Sequence, residues 1–385
     1  MPDEGGNFKV KVDSLVYGGN GMGRLPDGRA VFVPFVLPAE EVNLQIVDSR
    51  QRFARADLIE VLTPSSSRIK PRCQHYMVCG GCHYQHLEYQ DQEKIKTQIL
   101  FEQCERIAGI NDPPIREMIS SPRSWYYRNT VQFHLNRDGK LGYKAAGSNE
   151  IVTIKECHLP VKEIMDIWAL LEFQDSPNLE RVELVQGSGD DLLLVLRGDD
   201  FSLPEFELDL PVSAVHLSAT GQVILAGNDY VIMEVNERTF SVSAGSFFQV
   251  NNAMAGQLVD HVLENLSLSK DMTVLDVYCG VGLFSAFLAP FVKRCIGVEA
   301  SPSACQDYAV NLDEFENVEL FEGRAEKILP HIIVSPDIIL VDPPRAGLDR
   351  KVLDAIVQLR PDTLVYISCD PATLARDMKR LLKAG

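Results

Sequence analysis

Between residues 7 and 62 the chain alternates apolar and polar positions in short runs: Phe8-Lys9-Val10-Lys11-Val12, Ala30-Val31-Phe32-Val33 and Glu41-Val42-Asn43-Leu44-Gln45-Ile46. Gly18, Gly19, Gly21, Gly23 and the Pro26-Asp27-Gly28 turn interrupt them. Period-two runs separated by such turns predict a small β-barrel. Pro64-Ser65-Ser66-Ser67 reads as a linker. Residues 88–109 are polar with Ile95, Ile99 and Ile107 four or eight apart, which suits an amphipathic helix. Residues 125–250 are mostly strand-like, with turns at 137–140, 187–189 and 198–200. From about 255 the pattern changes: helix-like stretches alternate with compact apolar strands at 274–277, 295–298, 338–341 and 363–367. That alternation predicts a doubly wound parallel sheet, so the fold class is α/β with a barrel and a β-rich region ahead of it.

Composition narrows the class. The chain has 385 residues, 45% of them hydrophobic, which excludes a disordered tail or a disulfide mini-domain and predicts two or three globular domains. No run of 18 apolar residues occurs, and the start MPDEGGNFK lacks the basic and apolar segments of a secretory signal. A soluble, cytoplasmic monomer with no membrane partner is therefore expected. Nine cysteines in such a chain are metal ligands, catalytic or buried rather than disulfide-bonded. A net charge of -17 argues at first against nucleic acid. The acid is not evenly spread, however. Residues 158–385 carry 17 basic and 35 acidic side chains, whereas residues 1–157 are close to neutral. Arg50, Arg52, Arg55, Arg68, Lys70 and Arg72 form the best basic patch, either a solvated loop face or a phosphate-tracking surface.

Three clusters can carry chemistry. Cys73, Cys79 and Cys82 lie within ten residues around Gly80-Gly81, and Cys157 offers a fourth thiol. Four thiolates suit an iron–sulfur cluster or tetrahedral zinc, and one Cys-x-x-Cys pair plus two single cysteines favours the cluster. The second is the apolar strand that runs through Asp276-Val277-Tyr278-Cys279-Gly280-Val281-Gly282 into a helix, a turn that brings backbone close to a ligand. Ser285 stands where a dinucleotide fingerprint has its third glycine, which weakens a NAD reading. Glu299 is spaced to accept bonds from ribose hydroxyls, a pattern that fits S-adenosylmethionine better than NAD; the other reading is a helix N-terminal charge. The third is Cys369, at a predicted strand end before Asp370 as helix cap and Pro371 in the first turn. It is placed as a nucleophile or is a buried spectator.

Taken together, CGGC with Gln85-His86 and Cys157, the 246–251 segment SFFQVN, DVYCGVG, DPPRAG at 342–347 and SCDPATLARD at 368–377 resemble the iron–sulfur RNA uracil-5-methyltransferases over nearly the whole chain. The resemblance implies an N-terminal TRAM barrel of OB type over 1–65. It implies a central β-rich domain over 66–250 that holds a [4Fe-4S] cluster on Cys73, Cys79, Cys82 and Cys157. It also implies a class I, Rossmann-like methyltransferase domain over 251–385, with the 88–113 helix packing on it. Gln249, Tyr278, Glu299 and Asp342 would contact S-adenosylmethionine, and Cys369 would be the nucleophile. The implied partner is RNA, ribosomal RNA first (23S) and transfer RNA as the alternative. Trp125-Tyr126-Tyr127-Arg128-Asn129 also fits the family and would line the RNA path or form a core strand.

Two departures qualify the expectation. The family's proton-abstracting glutamate lies a few dozen residues past the nucleophile, and only 16 residues follow Cys369 here. The chain is thus expected to bind RNA and donor and to form the adduct but to turn over slowly or not at all, with a non-catalytic or impaired RNA-binding form as the alternative. Arg324 also stands where relatives often carry an acid.

Overall fold

The computed structural model describes residues 5–136, 138–173, 179–198 and 211–384. The turns expected at 137–140 and 198–200 fall partly outside them. The chain divides into two compact units, Met1–Ser120 with Tyr143–Glu156, and Ser121–Gly142 with Cys157–Gly385.

In the first unit, β1 (Asn7–Leu15), β2 (Asn20–Arg24), β3 (Ala30–Pro34), β4 (Glu41–Ser49) and β5 (Phe53–Thr63) close a barrel in the order β1-β2-β3-β5-β4. The alternation read from the sequence decides which side chains point inward: Val10, Val12, Val31, Val33, Val42, Leu44 and Ile46 are all buried there. Gly21 sits so close to the interior that a Cβ would lie 2.3 Å from Val36 Cγ2. The 64–67 segment, read as a linker, is tied to the barrel instead. Glu40, with no exposed surface, accepts from Ser65 N–H at 3.0 Å and from Arg68 Nε at 2.6 Å. Arg68 also donates to Phe35 O at 2.9 Å. This corrects one expectation, because the Arg68 guanidinium faces inward to a buried carboxylate and is not available to a phosphate. The predicted helix is α1 (Tyr89–Gln103), which continues as one π-helical turn, 104–108, and stops at Gly109 with φ 75°.

The second unit begins with β6 (Thr130–Leu135). Then follow β7 (Leu141–Lys144), in which the chain passes back to the first unit, and β8 (Ile151–Thr153). A helix, α2 (Lys162–Trp168), interrupts the stretch read as strand, burying Ile164 and Trp168 one turn apart. After it come β9 (Leu179–Gln186), β10 (Leu192–Gly198), β11 (Ser213–Ser218) and β12 (Gly221–Ala226), which with β6 run in the order β12-β11-β10-β9-β6. The hairpin of β13 (Tyr230–Val235) and β14 (Arg238–Ser243) leads into α3 (Asn252–Glu264), capped by the Asn251 side chain.

The remaining elements alternate: β15 (Thr273–Val277), α4 (Leu283–Leu288), β16 (Arg294–Glu299), α5 (Pro302–Asn311), β17 (Val318–Glu322), α6 (Ala325–Ile328), β18 (Ile338–Val341), α7 (Arg350–Leu359), β19 (Thr363–Tyr366) and α8 (Pro371–Ala384). They form a parallel sheet in the order β17-β16-β15-β18-β19, the doubly wound arrangement expected, with β17 an additional edge strand. The order reverses at β15, so the crevice for a ligand opens at the carboxyl ends of β15 and β18. No helix among the described residues is long and apolar enough to cross a membrane.

Candidate active site

Register fixes what meets at that crevice. Val277 pairs with Val298 and with Val341, and Val341 pairs with Tyr366. Tyr278, Glu299, Asp342 and the 367–369 segment therefore leave the sheet along one edge.

The turn after β15 is tightly wound. Tyr278, Gly280 and Gly282 all have left-handed backbone, at φ 65°, 55° and 93°. For Tyr278 this costs about 1–2 kcal/mol relative to ordinary backbone. The conformation is held by Tyr278 N–H and Cys279 N–H, which both donate to Val298 O, at 2.8 and 3.2 Å. Burial pushes the Tyr278 phenol up to about 12. Glu299 serves both sides of the turn: Oε2 accepts from Gly280 N–H at 3.0 Å, and Oε1 from Ala300 and Ser301 N–H, each at 2.7 Å. The ribose reading and the helix-terminus reading are thus compatible, since the carboxylate is fixed by backbone and keeps lone pairs for a ligand.

Beneath the turn lies a group the sequence reading did not single out. Asp276, with no exposed surface, accepts from Ser285 Oγ at 2.7 Å, and burial raises its carboxyl from 3.8 to about 7. The signal was present as a lone acid inside the apolar strand Val274-Leu275-Asp276-Val277.

Asp342 and Gln249 come together. Gln249 Nε2 donates to Asp342 Oδ2 at 3.5 Å, and burial raises the Asp342 carboxyl to about 6. Gln249 is delivered by a loop held from behind. Asn129, buried, donates through Nδ2 to Gln249 O at 2.9 Å and to Asn252 Oδ1 at 2.6 Å, and its N–H donates to Val250 O. The 125–129 segment is not a core strand: residues 125–128 are irregular and half-buried, and the Tyr126, Tyr127 and Arg128 N–H groups donate to His158 and Leu159 carbonyls. Trp125 and Tyr126 both stand edge-on to His158 at 6.1 and 5.9 Å.

Cys369 is exposed at the start of α8. Asp370 caps that helix as its position suggests, Oδ1 accepting from Ala372 and Thr373 N–H at 2.9 Å each, and Ser368 Oγ closes the turn on Asp370 N–H and O.

In the first unit, the Cys73 N–H donates to Gln85 Oε1, Cys73 Sγ accepts from His75 N–H and Cys79 Sγ from Gly81 N–H, both at 3.4 Å. A Cβ at Gly80 would lie 3.0 Å from Lys144 O, so the loop passes close to that carbonyl. Cys157 belongs to the second unit. Among the described residues no group of three or more His, Cys, Asp or Glu side chains is gathered as a metal site.

Comparison with known proteins fits this architecture. The TRAM domain family matches residues 4–59, the barrel, and the tRNA (uracil-5-)-methyltransferase family matches 204–332 and 333–385. An uncharacterised RNA methyltransferase of Streptomyces coelicolor is 32% identical over 97% of this chain and 86% of its own length. One from Synechocystis is 31% identical over 99% and 90%. The crystal structure of the Pyrococcus abyssi tRNA (uracil-54, C5)-methyltransferase in complex with S-adenosyl-L-homocysteine shares the fold, with TM-score 0.74 and 24% identity over 97% of this chain and 92% of that one. The chain belongs to the family of these RNA methyltransferases, with a TRAM domain as its N-terminal barrel and a carboxyl half of the tRNA (uracil-5-)-methyltransferase type.

Proposed function

We propose that this protein methylates carbon 5 of a uridine in RNA, with Cys369 as nucleophile and S-adenosylmethionine as donor. The observation that carries the reading is the shared carboxyl edge of β15, β16, β18 and β19. A strained turn, a backbone-fixed carboxylate, the desolvated Asp342 carboxyl and an exposed thiol follow those strands in turn. Carbon 5 of uracil is a poor nucleophile. Addition of the Cys369 thiolate at carbon 6 makes the ring an enolate that carries electron density at carbon 5. Bound at the glycine turn, S-adenosylmethionine supplies an electrophilic methyl group. Glu299 is oriented to accept from ribose hydroxyls, Tyr278 and Gln249 to line the donor, and Asp342, buried with its carboxyl raised, to hold a polar edge of donor or base. Methyl transfer leaves S-adenosylhomocysteine; a base then takes the carbon-5 proton as the carbon-6–sulfur bond breaks by elimination, which restores the Cys369 thiolate.

The three-part division at about 65 and 250 belongs to this reading, as does a 23S ribosomal RNA substrate. Arg52 and Arg55, exposed on the barrel, supply phosphate contacts of the sequence-independent kind that a large folded RNA offers. Cys73, Cys79, Cys82 and Cys157 would hold a [4Fe-4S] cluster in a structural role. The donor set supports this, because two of the loop's sulfurs accept backbone N–H bonds of the sort that stabilise cluster thiolates. The test is transfer of labelled methyl from S-adenosylmethionine to a 23S transcript and to a tRNA transcript. The ribosomal transcript is expected to be labelled at carbon 5, and Cys369→Ala to abolish labelling. Undiminished labelling by Cys369→Ala overturns the nucleophile; labelling of tRNA alone overturns the substrate. Anaerobically purified protein should show broad visible absorption; a colourless, zinc-containing preparation refutes the cluster.

A further inference from the structure

We propose that Asp377 is a positioning residue that locks the turn after Asp342 to the strand end bearing Cys369, fixing the spacing on which attack at the base depends. The inference rests on the reading of Cys369 as the nucleophile. Asp377 lies in α8 and has no exposed surface. Its Oδ2 accepts from Leu348 N–H at 2.8 Å and from Tyr366 O–H at 2.9 Å, and its Oδ1 from Arg376 Nε at 2.8 Å. Arg376 Nη2 in turn donates to Ala346 O at 2.8 Å.

One carboxylate therefore joins three separate pieces of chain: the turn that follows β18, the last residue of β19 and the helix that follows Cys369. Each leads within a few residues to a group of the site. Tyr366 lies three residues before Cys369, and residues 346–348 close the turn that Asp342 opens. The approach is close enough to demand glycine at 347. Its φ is 75°, and a Cβ there would lie 2.5 Å from Asp377 Oδ2 and 2.6 Å from Arg376 Nη2. A packed apolar side chain would fill the same volume as Asp377 but would leave the Leu348 N–H and Tyr366 O–H without an acceptor. Hydrogen bonds accepted from several directions fix orientation as well as contact, and orientation is what a thiolate needs to reach carbon 6 along one face of a ring.

The test uses RNA carrying 5-fluorouridine at the methylated position. There thiolate addition and methylation leave a fluorine that cannot depart as a proton does, so protein and RNA stay covalently joined and are read on a denaturing gel. Asp377→Asn is expected to slow adduct formation about 100-fold, the effect of roughly an ångström of misplacement, while S-adenosylhomocysteine binds within about threefold of normal. Tyr366→Phe, which removes one donor and leaves the carboxylate with two, is expected to slow it about tenfold, and Asp377→Glu to recover part of the Asn loss. If Asp377→Asn does not fold, the Tyr366→Phe rate decides. Adduct rates within about threefold of normal in Tyr366→Phe and in folded Asp377→Asn overturn the proposal. Adduct formation that survives Cys369→Ala overturns the nucleophile reading instead, so the two failures are told apart.

Discussion

Asp276 makes a quantitative prediction about stability. Its carboxyl is fully buried, has one hydrogen-bond donor in Ser285, and sits near 7 where an exposed aspartate sits near 3.8. The cause is first desolvation, with the charges of Asp342 and Glu299 adding to it. Because the folded state holds this proton more tightly than the unfolded chain, the two states differ in bound protons between about pH 4 and pH 7. The sign follows: the contribution of Asp276 is complete below about pH 4 and is lost as pH rises through 7. At the alkaline end the loss is about 4 kcal/mol, at 1.36 kcal/mol for each pH step between the two values. Asp276→Asn removes the titration but leaves an amide N–H without a partner, which costs about 1–3 kcal/mol at every pH. The stability of the variant minus that of the parent should therefore rise by about 3 kcal/mol from pH 5 to pH 8 and become favourable at the upper end. Guanidinium unfolding followed by circular dichroism at pH 5, 6, 7 and 8 measures this difference, in which the contributions of titrating groups distant from Asp276 cancel. A flat difference, or one that falls with pH, refutes the assignment of a raised carboxyl to this position.

Three further outcomes are expected. Gly282→Ala places a methyl 2.3 Å from Leu312 Cδ1 on left-handed backbone. It should cost about 2–5 kcal/mol of unfolding free energy and weaken S-adenosylhomocysteine binding measured by calorimetry. Arg68→Met strands Glu40 in the barrel wall and should destabilise by about 3–5 kcal/mol in thermal melts, whereas Arg68→Met with Glu40→Met should recover most of the loss. Arg52→Ala and Arg55→Ala should each lower the salt dependence of RNA affinity by about one counterion in a filter-binding titration, and Arg68→Gln should not.

What the sequence revealed, and what it hid, divides by the range of the interaction. Barrel strands and the central strands of the parallel sheet were legible because burial alternates or saturates over four to six neighbouring positions. β17 was not, since Val318-Glu319-Leu320-Phe321-Glu322 is a half-exposed edge strand whose apolar count is too low to stand out. α2 was hidden because two helical turns give only one i, i+4 pair, Ile164 and Trp168. At the site, Cys369, Asp370 and the glycine turn could be placed from local pattern alone. The Gln249–Asp342 contact, the Asn129 brace and the Asp377 clamp could not, because each partner lies on a different element and no local spacing encodes the meeting. Arg68 shows the same limit in a charge. Its sign is in the sequence, but its direction is set by Glu40, 28 positions away.

The path of the chain has a consequence for how the protein is made and taken apart. The first unit takes back Tyr143–Glu156 after the second has begun with Ser121–Gly142. Its last residues thus leave the ribosome after the opening strand of its neighbour, and that strand, β6, must wait for β9 before Thr130 can pair with Val185. Long-range closure of this kind slows folding and leaves a bare strand edge in the interim, a period in which a nascent chain is open to chaperones and to mispairing. It also means that no single cleavage liberates either part. Transplanting the N-terminal half into another protein would require carrying the 143–156 segment across on an artificial bridge.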